Sequence, residues 1–115
     1  MTTGQILIVE TDDLIRGLIL RWLDEAGYAV AQGESPPGGV ALVIADLPNP
    51  AQADAMLHDL AACHGAPILA TSGRFRRDAA SSEGVARLLG IAKALPKPFT
   101  CEELLTAVRD CLDGR

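Results

Sequence analysis

Short aliphatic runs recur along the chain. Four are pronounced, ILIV (6–9), ALVIA (41–45), PILAT (67–71) and AKAL (92–95), and a weaker one, YAVA, covers residues 28–31. None of them alternates cleanly between apolar and polar side chains. Because continuous apolar strands are typical of a parallel sheet covered on both faces, these runs predict the strands of such a sheet.

Segments with helical periodicity lie between these runs, at residues 12–26, 51–63, 78–89 and 100–112. In the first segment apolar side chains recur at spacings of three and four residues, and Gly27 follows as a stop signal. In the last, Thr100 and Glu103 have the spacing of a capping box, in which each side chain satisfies a backbone donor near the other residue. The alternation of strands and helices predicts an α/β domain with an open parallel sheet.

One connection breaks this alternation. Between YAVA and ALVIA lie only the nine residues QGESPPGGV (32–40), in which two prolines and two glycines disfavour a helix. Nine extended residues span about 30 Å at most, which is enough for a bare crossover. We therefore expect a short loop here, and a partly uncovered sheet face that a homodimer contact or another partner would fill.

Length and charge narrow the function classes. The 115 residues predict one domain, 1–115, and the formal charge of −5 argues against binding to nucleic acid or to an anionic membrane. Apolar runs fall short of the roughly 20 residues of a membrane span, and the N-terminus lacks signal-peptide features. A cytoplasmic protein is expected. The three cysteines are odd in number and predict no disulfide framework.

Polar side chains follow several of the predicted strands. Glu10, Thr11 and Asp12 come after the first, Asp46 after the third, Thr71 and Ser72 after the fourth, and Lys97 after the last. In an open parallel sheet, ligands bind beyond the carboxyl ends of the strands. Acids, a hydroxyl and a lysine at one edge predict a site where an aspartate attacks phosphorus while cations neutralise the phosphoryl oxygens.

This arrangement resembles the receiver domain of two-component response regulators, of the CheY-like type, over essentially the whole chain. The segment ILIVETDDLIRGLILRWLDEAGYAV is similar to the family's first strand and helix, VIADLPNP to its phosphoacceptor strand, and PILATSG to its fourth strand. LPKPFTCEEL, the most specific match, is similar to the Lys-Pro segment before the last helix. The resemblance implies a five-stranded sheet in the order 2-1-3-4-5, with the family's second helix missing or replaced by the Pro/Gly loop.

The resemblance also assigns roles to residues. It makes Asp46 the phosphoacceptor and Lys97 the cation that pairs with the phosphoryl group, and it implies a cis Lys97–Pro98 bond. The phosphoryl-binding hydroxyl, five residues beyond Pro67, becomes Ser72 rather than Thr71.

The acid pair of the family is incomplete in this chain. Arg16 lies six residues after Glu10, as in the family's pattern, so Glu10 takes the first place of the pair and Thr11 the second. The resemblance implies Mg²⁺ as cofactor, held by Glu10, Asp46 and the backbone carbonyl of Pro48. A threonine hydroxyl is neutral and replaces a carboxylate ligand poorly, so weakened Mg²⁺ binding is expected, with Asp12 as a candidate substitute ligand.

Other positions also depart from the family. Ala94 stands where the family has an aromatic ring that follows the movement of the hydroxyl residue, and LPNPAQADA replaces the Met-Pro and Asp-Gly pattern after Asp46. Arg74, Arg76 and Arg77 follow the fourth strand, and either a solvated loop or a contact with an acidic partner would account for them.

Three function classes are compatible with these sequence features. The first is a stand-alone receiver without an output domain, phosphorylated by a histidine kinase or phosphotransfer protein, acting on a downstream protein, and catalysing at most its own phosphorylation and dephosphorylation. The second is a pseudo-receiver that binds proteins without phosphorylation, as Thr11 and Ala94 favour. The third, a flavin or nucleotide enzyme, has little support because neither GxGxxG nor GK[ST] occurs in the sequence.

Overall fold

The computed structural model describes residues 4–31 and 39–114. Four strands alternate with four helices along this part of the chain. In chain order they are β1 (Gln5–Val9), α1 (Asp13–Glu25), β2 (Val40–Asp46), α2 (Asp54–His64), β3 (Ile68–Ser72), α3 (Ala79–Leu89), β4 (Lys93–Pro96) and α4 (Cys101–Asp113), with a 3₁₀ turn (Pro50–Gln52) before α2. The elements follow the predicted segments closely.

The four strands form one parallel sheet in the order β1-β2-β3-β4. The prediction of a fifth strand at residues 28–31 is wrong, because this segment makes only a single parallel bridge, between Val30 and Ile6. The bridge lies on the side of β1 opposite β2, where the predicted strand order places it. Alanines on both sides of Val30 are poor strand formers, which accounts for the short pairing.

Each connection between β1, β2, β3 and β4 contains a helix. The predicted helix-free loop at residues 32–40 falls mainly on residues 32–38, which lie outside the described residues. A groove of about 860 Å³ lies between β1, β2 and α2, and Gly39 and Val40 belong to its lining.

Helices cover the sheet on both faces. On one face α1 and α4 bury an aliphatic core that includes Ile19, Ile44 and Val108. On the other face α2 and α3 pack over smaller strand residues such as Ala45 and Ala70. This two-sided burial explains why the strands are continuous apolar runs in the sequence.

Helix ends match their sequence signals. Asp12 caps α1 and Asp78 caps α3, each by accepting a hydrogen bond from a backbone amide of the first turn. The predicted capping box is confirmed, because Thr100 and Glu103 each accept a hydrogen bond from the other's backbone amide. These caps fix where α1, α3 and α4 begin, at the carboxyl edge of the sheet.

Candidate functional site

Glu10, Asp46 and Lys97 meet at the carboxyl edge of the sheet. The Lys97 ammonium nitrogen Nζ lies 2.8 Å from Oε1 of Glu10 and 2.8 Å from Oδ1 of Asp46. Glu10 follows β1 directly, Asp46 ends β2, and Lys97 follows β4, so the parallel sheet joins side chains that are far apart in sequence. The structure therefore brings together three of the predicted site residues in one charged cluster.

The cluster is largely shielded from water, with small exposed fractions left at Asp46 and Lys97. The side chains of Glu10, Asp46 and Lys97 are 2%, 13% and 17% exposed. Burial disfavours the ammonium, yet the hydrogen bonds and charges of Asp46 and Glu10 outweigh it and raise the pKa of Lys97 above its ordinary value. Lys97 is therefore a fixed positive charge at neutral pH, beside two acids.

Glu10 and Asp12 have different structural partners. The second carboxylate oxygen of Glu10 accepts a hydrogen bond from the Asp12 amide at 3.1 Å, so both oxygens of Glu10 are engaged. The Asp12 carboxylate accepts from the Ile15 amide at 3.0 Å and caps α1. Thr11 and Asp13 are exposed.

The sheet edge offers few ligands to a divalent cation. Glu10 and Asp46 supply two carboxylates, and Mg²⁺ is commonly bound by one or two carboxylates while keeping several waters. Within the described residues, no group of three His, Cys, Asp or Glu side chains is placed to hold a metal ion. Both carboxylates already pair with Lys97, so a cation there would share its ligands with the ammonium.

Ser72 lies at the same edge, with its hydroxyl oxygen engaged by a backbone amide. Its side chain is completely buried, and its Oγ accepts a hydrogen bond from the Arg74 amide at 3.1 Å. Its backbone carbonyl accepts from the Lys97 amide at 2.9 Å, which ties the ends of β3 and β4 together. Thr71, the cross-strand neighbour of Asp46, is also buried.

Ala94 lies inside the core beneath α2 and α3. It pairs with Ala70 of β3, and it is 4% exposed. With only a methyl group at this position, the side chain offers no ring that could swing between the core and the surface.

Arg77 contributes a contact that the sequence did not reveal. Its guanidinium donates hydrogen bonds to the backbone carbonyl of Pro98 and, at 2.9 Å, to the carboxylate of Glu103. Arg77 therefore links the loop after β3 to the Lys97–Pro98 segment, whose peptide bond is cis as the resemblance implied. The spare oxygen of the capping residue Glu103 is the acceptor, but nothing in the spacing places Arg77 opposite it.

An aromatic pair lies next to the same segment. The rings of Trp22 on α1 and Phe99 have centroids 6.3 Å apart and meet edge to face, at an interplanar angle of 67°. Phe99 follows Pro98 directly, so α1 packs against the loop that carries Lys97.

Comparison with known proteins shows which fold this is. No family model matches the sequence, and no curated protein is detectably similar to it. Solved structures match over nearly the whole chain. The chemotaxis protein CheY4 of Vibrio cholerae has a TM-score of 0.72 at 20% identity, and the match covers 96% of this chain and 99% of that one.

A receiver domain protein (CheY-like) from Methanospirillum hungatei has a TM-score of 0.71 at 20% identity, with 96% and 94% of the two chains covered. A response regulator from Burkholderia pseudomallei, whose structure contains a phosphorylated aspartic acid, a calcium ion and citrate, has a TM-score of 0.66 at 20% identity. That match covers 96% of this chain and 69% of the other.

The chain has the receiver fold. The predicted resemblance to CheY-like receiver domains is thereby confirmed for the architecture, with four strands in the described residues instead of five. In the receiver fold of this chain, Glu10, Asp46 and Lys97 share the carboxyl edge of the sheet. No helix among the described residues is long and apolar enough to cross a membrane.

Proposed function

We propose that this protein is a phosphoacceptor receiver of a two-component system or phosphorelay, and that Asp46 accepts the phosphoryl group. The observation that carries this proposal is the Lys97 ammonium, 2.8 Å from the carboxylates of both Asp46 and Glu10. It lies at the sheet edge of a receiver fold, beside an aspartate that remains partly accessible.

The geometry supports a simple transfer. A carboxylate oxygen of Asp46 attacks the phosphorus of a phosphohistidine on a kinase or phosphotransfer protein. The new P–O bond forms as the P–N bond breaks, and the imidazole leaves with the bonding electrons. Lys97 stays charged and neutralises phosphoryl oxygens. The Ser72 hydroxyl turns from the Arg74 amide and donates a hydrogen bond to one of these oxygens.

Magnesium is part of this proposal. Glu10, Asp46 and the backbone carbonyl of Pro48 would hold it, and it supplies positive charge to the phosphoryl oxygens when bound. Thr11 provides no carboxylate, so weak binding is expected. The domain acts as a cytoplasmic signalling module on a downstream protein, and its chemistry is limited to its own phosphorylation and dephosphorylation.

The second candidate is a pseudo-receiver that binds a partner without phosphorylation. Two observations favour it: the exposed Thr11 in place of the second acid, and the buried Ala94 in place of an aromatic ring. Both residues change positions that the resemblance associates with phosphorylation-dependent switching, while the fold is retained.

Intact-mass measurement after incubation with acetyl phosphate and millimolar MgCl₂ separates the two candidates. We expect the mass of one added phosphoryl group in the wild type and none in Asp46→Asn. Asp24→Asn, at an exposed position on α1, is the matched control and retains the addition. An unmodified wild type, or equal modification of both variants, would contradict phosphorylation at Asp46.

A further inference from the structure

A groove lies beside the proposed phosphorylation site, between the start of α2 and helix α3. We call it the arginine groove; it has a volume of about 800 Å³, and its lining includes Pro50, Arg74, Arg76, Gly84, Val85 and Leu88. One wall belongs to the loop after Asp46, and another to the loop after Ser72. The groove therefore adjoins both loops that lead away from the site.

Helix α3 gives the groove an open apolar side. Gly84 and Leu88 are four residues apart, on the same helix face as Val85, and Leu88 is 84% exposed. A Cβ atom added at Gly84 would meet nothing within 4 Å, so the glycine leaves space in front of the helix. A single exposed leucine is ordinary, but here it borders a concave surface with Val85 and Phe75.

The charge of the groove differs from that of the whole protein. The chain carries −5 overall, yet Arg74 and Arg76 line this groove. Arg76 lies 3.6 Å from Asp78, and because both side chains are largely exposed this pairing is weak. Within the described residues, the Arg74 guanidinium makes no hydrogen bond or ion pair. Asp54, at the start of α2, is the one carboxylate among the described residues of the lining.

We propose that the arginine groove binds an acidic amphipathic segment of a partner protein. An apolar side chain of that segment would lie against Leu88 and Val85, and its carboxylates would pair with Arg74 and Arg76 in the bidentate geometry that guanidinium groups favour. A two-fold contact with a second copy fits less well, because it would set the same arginines against each other. The net charge of −5 disfavours nucleic acid as the occupant.

The groove is also connected to the site. The Arg74 amide donates to the Ser72 hydroxyl at 3.1 Å, so turning this hydroxyl toward a phosphoryl group would release the loop that carries Arg74. This connection rests on the proposed function, whereas the binding surface itself does not.

Peptide selection tests the groove directly. A random dodecapeptide phage library is selected on the Asp46→Asn protein without phosphodonor, and enriched peptides are synthesised and titrated by fluorescence anisotropy. We expect peptides with a large apolar residue flanked by Asp or Glu. Leu88→Glu and Arg74→Glu should each weaken binding at least about tenfold, as at the centre of an interface.

Matched controls lie on other surfaces. Leu14→Glu, where the leucine is 75% exposed on α1, and Arg109→Glu on α4 repeat the same substitutions away from the groove and should leave binding unchanged. Circular dichroism checks the fold of every variant.

Three outcomes would overturn the proposal. They are no enrichment over the starting library, enrichment of basic peptides, and binding that survives both groove substitutions. A fourth outcome is tested by sedimentation equilibrium. If the wild type were a dimer and Leu88→Glu a monomer, the groove would be occupied by a second copy of this chain. Because the selection uses a protein that cannot be phosphorylated on Asp46, its failure is distinct from a failure of phosphotransfer.

Discussion

Thr11 is a neutral residue directly after the buried acid Glu10. It is exposed, and it replaces the carboxylate that the resemblance would place there. Thr11→Asp should tighten Mg²⁺ binding about tenfold, or roughly 1.4 kcal/mol, because a further carboxylate joins the donor set. Isothermal titration calorimetry with MgCl₂ measures this change.

The matched control for this substitution is Thr106→Asp, at an exposed position of α4. It adds the same charge away from the site and should leave the affinity near that of the wild type. Equal affinities for the two variants would show that residue 11 does not face the proposed metal site.

Lys97 makes the site sensitive to alkaline pH. Its pKa is raised above the ordinary value of 10.5 in the folded protein. The stabilisation from its ion pairs is therefore fully present below pH 10.5 and is lost as the pH rises through the folded-state pKa. Wild type should lose more stability over this range than Lys97→Met, which can be measured by urea unfolding at a series of pH values.

The other lysine of the chain is a natural comparison. Lys93 pairs with Asp110 at 2.8 Å, but its side chain is 39% exposed. Lys93→Met should keep the alkaline loss of stability that Lys97→Met removes. If both variants followed the wild-type profile, Lys97 would not be the group that titrates.

At the scale of elements, Arg77 connects three parts of the edge: the loop after β3, the Lys97–Pro98 segment and the first turn of α4. Arg77→Ala should speed amide hydrogen exchange in loop 73–78, because two hydrogen bonds that hold the loop are lost. Hydrogen exchange followed by mass spectrometry measures this directly.

Arg76→Ala is the matched control, since the Arg76 side chain is 82% exposed and only weakly paired. If loop 73–78 exchanged equally fast in Arg77→Ala and Arg76→Ala, the proposed connection through Arg77 would be contradicted.

The hydrogen bond from the Thr100 amide, together with Arg77, lowers the pKa of Glu103 from its ordinary 4.5. The contribution of charged Glu103 is present above pH 4.5 and is lost as the pH falls through the folded-state pKa.

Helix α3 contains one glycine and ends at another, and the two have opposite expected responses to substitution. Gly84 lies inside the helix with open space for a Cβ, so Gly84→Ala should stabilise the protein by about 1 kcal/mol. Gly90 ends the helix at φ +70, where a side chain is strained, so Gly90→Ala should cost about 1 kcal/mol or more.

Urea unfolding of both variants tests this pair. Stabilisation by Gly90→Ala, or destabilisation by Gly84→Ala, would contradict the backbone geometry of α3. Gly84→Ala also places a methyl group in the arginine groove, so it should reduce peptide binding there while the fold becomes more stable.

At the scale of the whole molecule, the sequence predicted the helices and strands better than the contacts between loops. The segment 12–26 became α1 (Asp13–Glu25), because its apolar spacing and its cap are local signals. The run at 28–31 does not form a full strand. Strand pairing depends on side-chain contacts with the neighbouring strand, and a short alanine-rich run makes few of them.

The candidate site also combines a placement that the sequence predicts with contacts that it does not predict. Strand ends predicted that Asp46 and Lys97 share an edge, but the contact between Lys97 and Glu10 joins residues 87 positions apart, and only the folded sheet shows its geometry. Arg77 looked like part of a solvated loop because its acceptors belong to the segment around α4, far along the chain. Local patterns carry no information about such pairings.

The contact between Trp22 and Phe99 has a practical consequence. Trp22 is the single tryptophan of the chain, and its ring meets the residue two positions after Lys97. Its emission spectrum is therefore an intrinsic optical signal from the loop that carries the site lysine. Stopped-flow fluorescence can follow events at this loop in the unlabelled protein, in real time.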